Sequence, residues 1–146
     1  MAKILLIGGC GYIGSRLFQI LNRNHTIDSI DVEWYGNYVN KFNIIKDFGT
    51  LTKDEINFYD VVILLAGHSS VKMCVDNMVP TTKNNVLNFV ELLDKLDDSQ
   101  TFIYASSSSV YGDTKHDIVS EDYIEFRPNN YYDLSKHEID SYAILS

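Results

Sequence analysis

Met1-Ala-Lys-Ile-Leu-Leu-Ile-Gly8-Gly-Cys-Gly11-Tyr-Ile-Gly14 opens the chain and decides how the rest is read. Ile4, Leu5, Leu6 and Ile7 form a short apolar run of β-formers, the pattern of a strand buried on both faces. The run breaks at Gly8, and Gly11 and Gly14 follow at intervals of three before a helical pattern begins. Glycines so placed let the chain turn tightly out of a strand and bring bare backbone N–H groups close to a phosphate. The positive end of the next helix then faces the anion. The same string also fits a tight strand-to-helix turn that binds nothing. Its surroundings decide, and a strand before, a helix after and an acidic residue near position 31 are what a dinucleotide-binding turn requires.

The 146 residues fit one domain with a core of its own. With a net charge of −8, the chain lacks the clustered Lys and Arg that nucleic acid or an anionic membrane surface demands. Cys10 and Cys74 have no metal-ligand spacing and the histidines are scattered, which predicts free thiols, a reducing compartment and no metal site. The apolar run before Gly8 is too short for a signal peptide, and no stretch approaches the ~20 apolar residues of a membrane span. A soluble, cytoplasmic protein is the expectation.

After Gly14, the apolar positions Ile13, Leu17, Ile20 and Leu21 predict a first helix over 11–23. Residues 26–32 read as a second strand with Asp31 at its end, seventeen residues past Gly14. An acidic side chain there accepts hydrogen bonds from the hydroxyls of an adenosine ribose and repels a 2′-phosphate. No Arg or Lys stands beside it in Asp31-Val-Glu-Trp34, so the reading is NAD rather than NADP. Trp34-Tyr-Gly-Asn-Tyr38 is aromatic and turn-like, 41–47 is a candidate short third strand, and 51–59 suggests a short helix. Asp47 and Phe48 are candidates to flank an adenine, and a solvated loop carboxylate is the equal alternative for Asp47.

Val61 to Ala66 is a continuous apolar run stopped by Gly67, a central parallel strand by pattern. The small residues at the end of Leu65-Ala66-Gly67 would let a cofactor lie against the backbone. His68 reads as a loop or capping histidine at the start of a helix rather than a catalytic one. A long apolar stripe predicts a helix over 81–96, and its acidic end, Asp94 to Asp98, reads as a solvated face. Residues 101–105 form a further strand ending in four serines, 113–125 is an acidic connection, and a last helix runs from about 131 to the end. This alternation predicts an α/β fold, a doubly wound parallel sheet with right-handed crossovers and helices on both faces.

The last helix carries Tyr132-Asp-Leu-Ser-Lys136, which sets Tyr132 and Lys136 one turn apart on one helical face. An ammonium beside a phenol favours the phenolate, a base able to take a hydroxyl proton while a hydride leaves the same carbon. Alone, such a pair is common on helices and reads as a surface pair. Ser107, just past the strand 101–105 at the carboxyl edge of the sheet, supplies a hydroxyl able to bond the reacting oxygen. The serine run also reads as a polar loop, and spacing does not say which serine faces a site.

These pieces together resemble the extended short-chain dehydrogenase/reductase family, especially its NAD-dependent nucleotide-sugar epimerases and dehydratases. The resemblance rests on the motif from Gly8 to Gly14, Asp31, Leu65-Ala-Gly67, Asn84-Asn-Val86, Ser106-Ser-Ser-Ser-Val-Tyr-Gly112 and Tyr132 to Lys136, in the family's order. It implies a Rossmann domain in which Gly8, Gly11, Tyr12, Ile13 and Gly14 approach the pyrophosphate of NAD. Asp31 would take the adenosine ribose, Asp47 and Phe48 the adenine side, and Leu65, Ala66 and Gly67 the cofactor's flank. Ser107 would be the catalytic hydroxyl, Tyr132 the acid/base and Lys136 the partner of the nicotinamide ribose, with Asn85 behind the site.

Ser108 and Ser109 stand where the family's dehydratases carry Asp and Glu, so the resemblance favours epimerisation through a keto intermediate. It also leaves open a dehydrogenase or reductase, and, in another class, a non-enzymatic NAD-binding module. Family members run to about twice this length, so the resemblance implies that residues 1–146 are either the NAD-binding part of a longer protein or a reduced relative, without the later substrate domain. A nucleotide-sugar substrate is implied, and, by analogy, a homodimer through the helices at 81–96 and 131–145.

Overall fold

A computed structural model describes residues 1–37, 42–114, 118–123 and 126–146. Tyr38 of the aromatic turn, Lys41 of the expected third strand, and parts of the acidic connection (115–117 and 124–125) lie outside the described residues. Five parallel strands, β1 (Lys3–Ile7), β2 (Thr26–Asp31), β3 (Asn43–Ile45), β4 (Val61–Leu64) and β5 (Thr101–Tyr104), lie in the order β3-β2-β1-β4-β5. The helices, in chain order, are α1 (Tyr12–Leu21), α2 (Lys53–Ile56), α3 (Val71–Asp76), α4 (Met78–Thr81), α5 (Asn88–Lys95) and α6 (Tyr131–Leu145). The strand order reverses direction at β1, the doubly wound arrangement of a Rossmann sheet, with its ligand crevice outside the carboxyl ends of the strands.

The chain divides into two compact units, Met1–Gly67 with Glu91–Ala105, and His68–Val90 with Ser106–Ser146. The whole sheet belongs to the first. Ile4 and Leu6 of β1 pack with Ile27, Ile63 and Phe18 of α1 into one buried cluster. Leu5, Ile7, Val62 and Leu64 alternate with them and are equally buried, so both faces of the central strands are covered. That is why these strands are unbroken apolar runs rather than alternating ones. Truncating Phe18 to Ala in so packed a place costs about 3–5 kcal/mol.

β3 is shorter than the expected strand over 41–47, and its Ile44 and Ile45 are exposed at the sheet's edge. It is held to β2 partly by side chains, the Ser29 hydroxyl donating to Asn43 Oδ1 at 3.0 Å. α2 starts on a capping box in which Thr52 Oγ1 accepts from Glu55 N–H while the Glu55 carboxylate accepts from Thr52 N–H.

In the second unit, Ser70 caps α3, its Oγ accepting from Met73 N–H. The helix expected over 81–96 begins earlier, at Met78, directly after a break at Asn77. Pro80 is tolerated there because the first turn of a helix has N–H groups without partners, and proline simply lacks one. A π-helical turn over Thr82–Leu87 then leads into α5.

Candidate functional site

In the first unit, the chain leaves β1 through Gly8, whose φ of +92° suits glycine. Gly8 N–H donates to Ile30 O of β2 at 2.8 Å, while Leu65 N–H and Ala66 N–H donate to Ile7 O at 2.8 and 3.1 Å. The turn is therefore clamped between the carboxyl ends of β2 and β4. A methyl group on Gly8 would meet Ala66 N at 2.5 Å, and one on Gly14 would meet Gly8 O at 2.1 Å. Gly11 differs: a methyl there would touch only Gly8 O, at 3.4 Å, and the residue is exposed. Gly8 makes the turn, Gly14 lets α1 pack on it, and Gly11 leaves the backbone open to an incoming group.

Gly11 is also the N-cap of the ten-residue α1, with no side chain to satisfy the first-turn N–H groups. Tyr12 and Ile13 are exposed beside it. These features fit a pyrophosphate: open backbone, free donors and the positive end of a helix.

Asp31, at the end of β2, is tied to the same turn. Its Oδ2 accepts from Cys10 N–H at 3.0 Å and its Oδ1 from Glu33 N–H at 2.8 Å. A carboxylate has about four acceptor positions, so two remain for ligand hydroxyls. The Cys10 thiol, 3.7 Å from Glu33 Oε1, is pushed up to about 12 by burial, by the Asp31 charge and by Glu33. The thiol stays protonated and unreactive at neutral pH.

Asp47 caps the turn Phe48–Thr50, its Oδ1 accepting from Gly49 N–H at 2.9 Å, and is exposed. Phe48 is buried. Leu65, Ala66 and Gly67 follow β4 half-buried, next to the glycine turn.

The second unit holds the remaining candidates. Ser107 begins a tight turn over Ser108–Tyr111, where its Oγ accepts from Ser109 N–H at 3.2 Å and from Ser109 Oγ at 2.9 Å. The neighbouring Ser106 hydroxyl donates to Asp140 Oδ2 of α6 at 2.5 Å, fastening the serine run to that helix. α6 starts on Asn130, whose Oδ1 accepts from Tyr132 N–H and Asp133 N–H. The buried Asp133 closes the cap by accepting from Asn129 N–H and Asn130 Nδ2. These bonds fix the first turn of α6, and with it the half-buried Tyr132.

Lys136 follows one turn later, also half-buried. Burial pulls its pKa below the usual lysine value, against an opposing pull from Asp140 and Cys74.

Asn85 lies in the π turn and is buried. Its Oδ1 accepts from His68 N–H at 2.7 Å, and its Nδ2 donates to His68 O at 3.0 Å and Ser135 Oγ at 3.2 Å. Ser135 in turn donates to Tyr132 O at 2.9 Å. Asn85 thus braces the backbone of His68 and the Tyr–Lys helix at once. His68 is buried, its Nδ1 2.7 Å from Thr81 Oγ1, and burial lowers its pKa.

The candidates therefore fall in two groups: the glycine turn, Asp31, Asp47, Phe48 and Leu65–Gly67 in one unit, and Asn85, Ser107, Tyr132 and Lys136 in the other. Sequence reading passed over Glu33, Asp133, Ser135 and Asp140. Asn130 with Asp133 three residues on was a visible capping signal. Glu33 had none, because its contacts reach across a turn to another strand. Among the described residues, no three His, Cys, Asp or Glu side chains gather as metal ligands. No described helix is long and apolar enough to cross a membrane.

A glycine turn clamped at the switch point of a parallel sheet, with an acidic residue ending the second strand, defines a dinucleotide-binding protein of the doubly wound class. Residues 4–145 match the NAD dependent epimerase/dehydratase family, and the chain belongs to that family. Among curated relatives it is 30% identical over 130 residues to Protein CapI of Staphylococcus aureus, covering 75% of this chain and 39% of that protein. It is 29% identical over 154 residues to a putative UDP-glucose 4-epimerase of Methanocaldococcus jannaschii, covering 97% of this chain and 50% of the relative.

A UDP-N-acetylglucosamine 4-epimerase from Methanobrevibacter ruminantium superposes with a TM-score of 0.88 at 24% identity, over 99% of this chain and 50% of that one. UDP-glucuronic acid 4-epimerase from Bacillus cereus, solved with UDP-glucuronic acid and NAD, superposes at 0.82 with 26% identity, over 98% and 51%. The chain spans about half the length of the relatives it matches, or less.

Proposed function

We propose that residues 1–146 are the NAD-binding and proton-handling part of a nucleotide-sugar epimerase. The observation that carries this reading is the Asp31 carboxylate fastened to the glycine turn through Cys10 N–H at 3.0 Å. That arrangement presents a ribose acceptor and an open phosphate-binding backbone from one rigid corner. Gly11 and the first turn of α1 would hold the pyrophosphate, Asp31 the adenosine ribose hydroxyls, and Leu65, Ala66 and Gly67 the flank of the dinucleotide. Bound NAD would supply the acceptor, and then the donor, of a hydride at a sugar carbon.

In that reaction Tyr132 takes the proton from the sugar hydroxyl as the hydride departs, and returns it when the hydride comes back to the opposite face of the ketone. Ser107 hydrogen-bonds the same sugar oxygen. Lys136, as an ammonium, favours the phenolate form of Tyr132 and bonds the nicotinamide ribose. Ser108 and Ser109 lack the acid and base a dehydration would need, which favours epimerisation within the family. The substrate class, a UDP-type nucleotide-sugar, follows the UDP-sugar 4-epimerases this chain resembles. Pairing of two copies through 81–96 and 131–145 belongs to the same proposal.

Titration of the chain with NAD, followed by tryptophan fluorescence or calorimetry, tests the cofactor half. Asp31→Ala should weaken binding roughly 10- to 100-fold, as loss of a charged hydrogen-bond acceptor implies. Unchanged affinity removes Asp31 from the site.

A further inference from the structure

Glu33 is the only described non-glycine residue with a positive φ, +57°, a conformation that costs a side-chain-bearing residue free energy and persists only where its surroundings enforce it. The enforcing contacts are visible. Its Oε1 accepts from Asn37 Nδ2 at 2.8 Å and from Asn43 Nδ2 at 2.9 Å, and lies 3.7 Å from the Cys10 thiol. Its backbone N–H donates to Asp31 Oδ1 at 2.8 Å, and its carbonyl accepts from Gly36 N–H at 2.8 Å. Asn43 also donates to Asp31 O at 3.3 Å. Glu33 is therefore the knot that joins the end of β2, the edge strand β3 and the glycine turn.

Two consequences follow. The first is positional: the Glu33 N–H holds one oxygen of Asp31 while Cys10 N–H holds the other, so the carboxylate's direction depends on the backbone shape at Glu33. The second is electrostatic. Asp31 and Glu33 both reach Cys10, Asp31 at its N–H and Glu33 at its thiol, so two negative charges share one corner. Neither forms an ion pair with a described Lys or Arg. A phosphate ester on the ribose would enter that doubled field.

We infer that Glu33 is a positioning and specificity-determining residue for the dinucleotide: it aims Asp31 and places a second negative charge that rejects a 2′-phosphate. The inference rests on the reading that Asp31 takes the adenosine ribose. It deepens that reading, because selectivity between two cofactors is a difference of affinities that an added repulsive charge can widen without improving binding of the preferred one.

The test compares NAD and NADP binding to the 146-residue chain carrying Glu33→Gln, Glu33→Ala or Asp31→Asn. Glu33→Gln keeps an oxygen acceptor for Asn37 and Asn43 but removes the charge. It should leave NAD affinity within about threefold and tighten NADP roughly tenfold, the effect of one nearby charge in partly screened surroundings. Glu33→Ala should also loosen NAD, because the side-chain bonds to Asn37 and Asn43 that hold the backbone N–H on Asp31 are gone. A residue serving only the fold would lower both affinities together and leave their ratio alone.

An unchanged NAD-to-NADP ratio in Glu33→Gln overturns the inference, as does undetectable NADP binding where NAD saturates that variant. Asp31→Asn separates the two levels. If it leaves NAD affinity intact, the ribose assignment itself fails. If it weakens NAD while Glu33→Gln leaves the ratio fixed, only the role of Glu33 fails.

Discussion

His68 shows how one buried side chain makes the fold sensitive to pH. Its pKa lies below the ordinary 6.5 because burial disfavours the imidazolium, and the neutral ring is 2.7 Å from Thr81 Oγ1. A group with a depressed folded pKa contributes stability that is fully present above the unfolded value. That contribution is lost as pH falls through the folded one. Stability should therefore decline below 6.5 as the unfolded chain gains a proton the native ring resists. In urea unfolding from about pH 7 to about pH 5, His68→Gln should flatten the decline by up to about one proton's slope. Identical slopes would mean that the ring takes a proton within the fold without penalty. No catalytic duty is needed to account for this histidine, since both its backbone groups are already bonded by Asn85.

At the scale of elements, the glycine turn and α1 separate packing from binding. A methyl on Gly14 would stand 2.1 Å from Gly8 O, so Gly14→Ala forces α1 away from β1. A drop in midpoint of roughly 5–10 °C, or failure to fold, is expected. Gly11, with φ −68° and ψ 172°, has a backbone any residue adopts, and a methyl there meets only Gly8 O at 3.4 Å. Gly11→Ala should keep stability within about 1 kcal/mol while weakening NAD roughly tenfold, since it narrows the approach to the first-turn donors. Equal NAD affinity in this variant would move the phosphate seat off α1.

The same elements show what could be read without coordinates. β1 and β4 are unbroken apolar runs because both faces of the central sheet are covered, a signal that survives in composition alone. β3 offered little, because two of its three residues face outward at an edge. The π turn at Thr82–Leu87 was hidden because Thr-Thr-Lys-Asn-Asn has no apolar period, and its shape is tied to the bonds Asn85 makes to His68 and Ser135. Asp31 was legible from its distance to the glycines, whereas Glu33 depends on a positive φ and an asparagine from another strand.

For the whole molecule, the governing quantity is charge. Twenty acidic residues against twelve basic ones leave −8, and the side-chain ion pairs include Lys46 with Glu55 and Lys72 with Asp76. The first holds the exposed Glu55 down to about 2 with help from the Thr52 cap, and the second is a solvent-facing pair one helical turn apart. Exposed pairs of this kind contribute little, because water and salt screen them. Repulsion among the excess carboxylates is spread over the surface and opposes compaction. Added salt screens both, with a Debye length that shrinks from about 30 Å at 0.01 M to about 10 Å at 0.1 M. Because repulsion from the net charge acts over long distances and ion pairs act at short range, salt removes more repulsion than attraction. The thermal midpoint should therefore rise by roughly 2–5 °C between about 0.01 M and 0.3 M sodium chloride, measured by circular dichroism at neutral pH. Binding of NADP should gain more from the same salt than binding of NAD, because only its additional 2′-phosphate would bring negative charge into the Asp31–Glu33 corner. A midpoint that falls with salt would mean that attractive pairs, rather than net charge, govern the electrostatics of this fold.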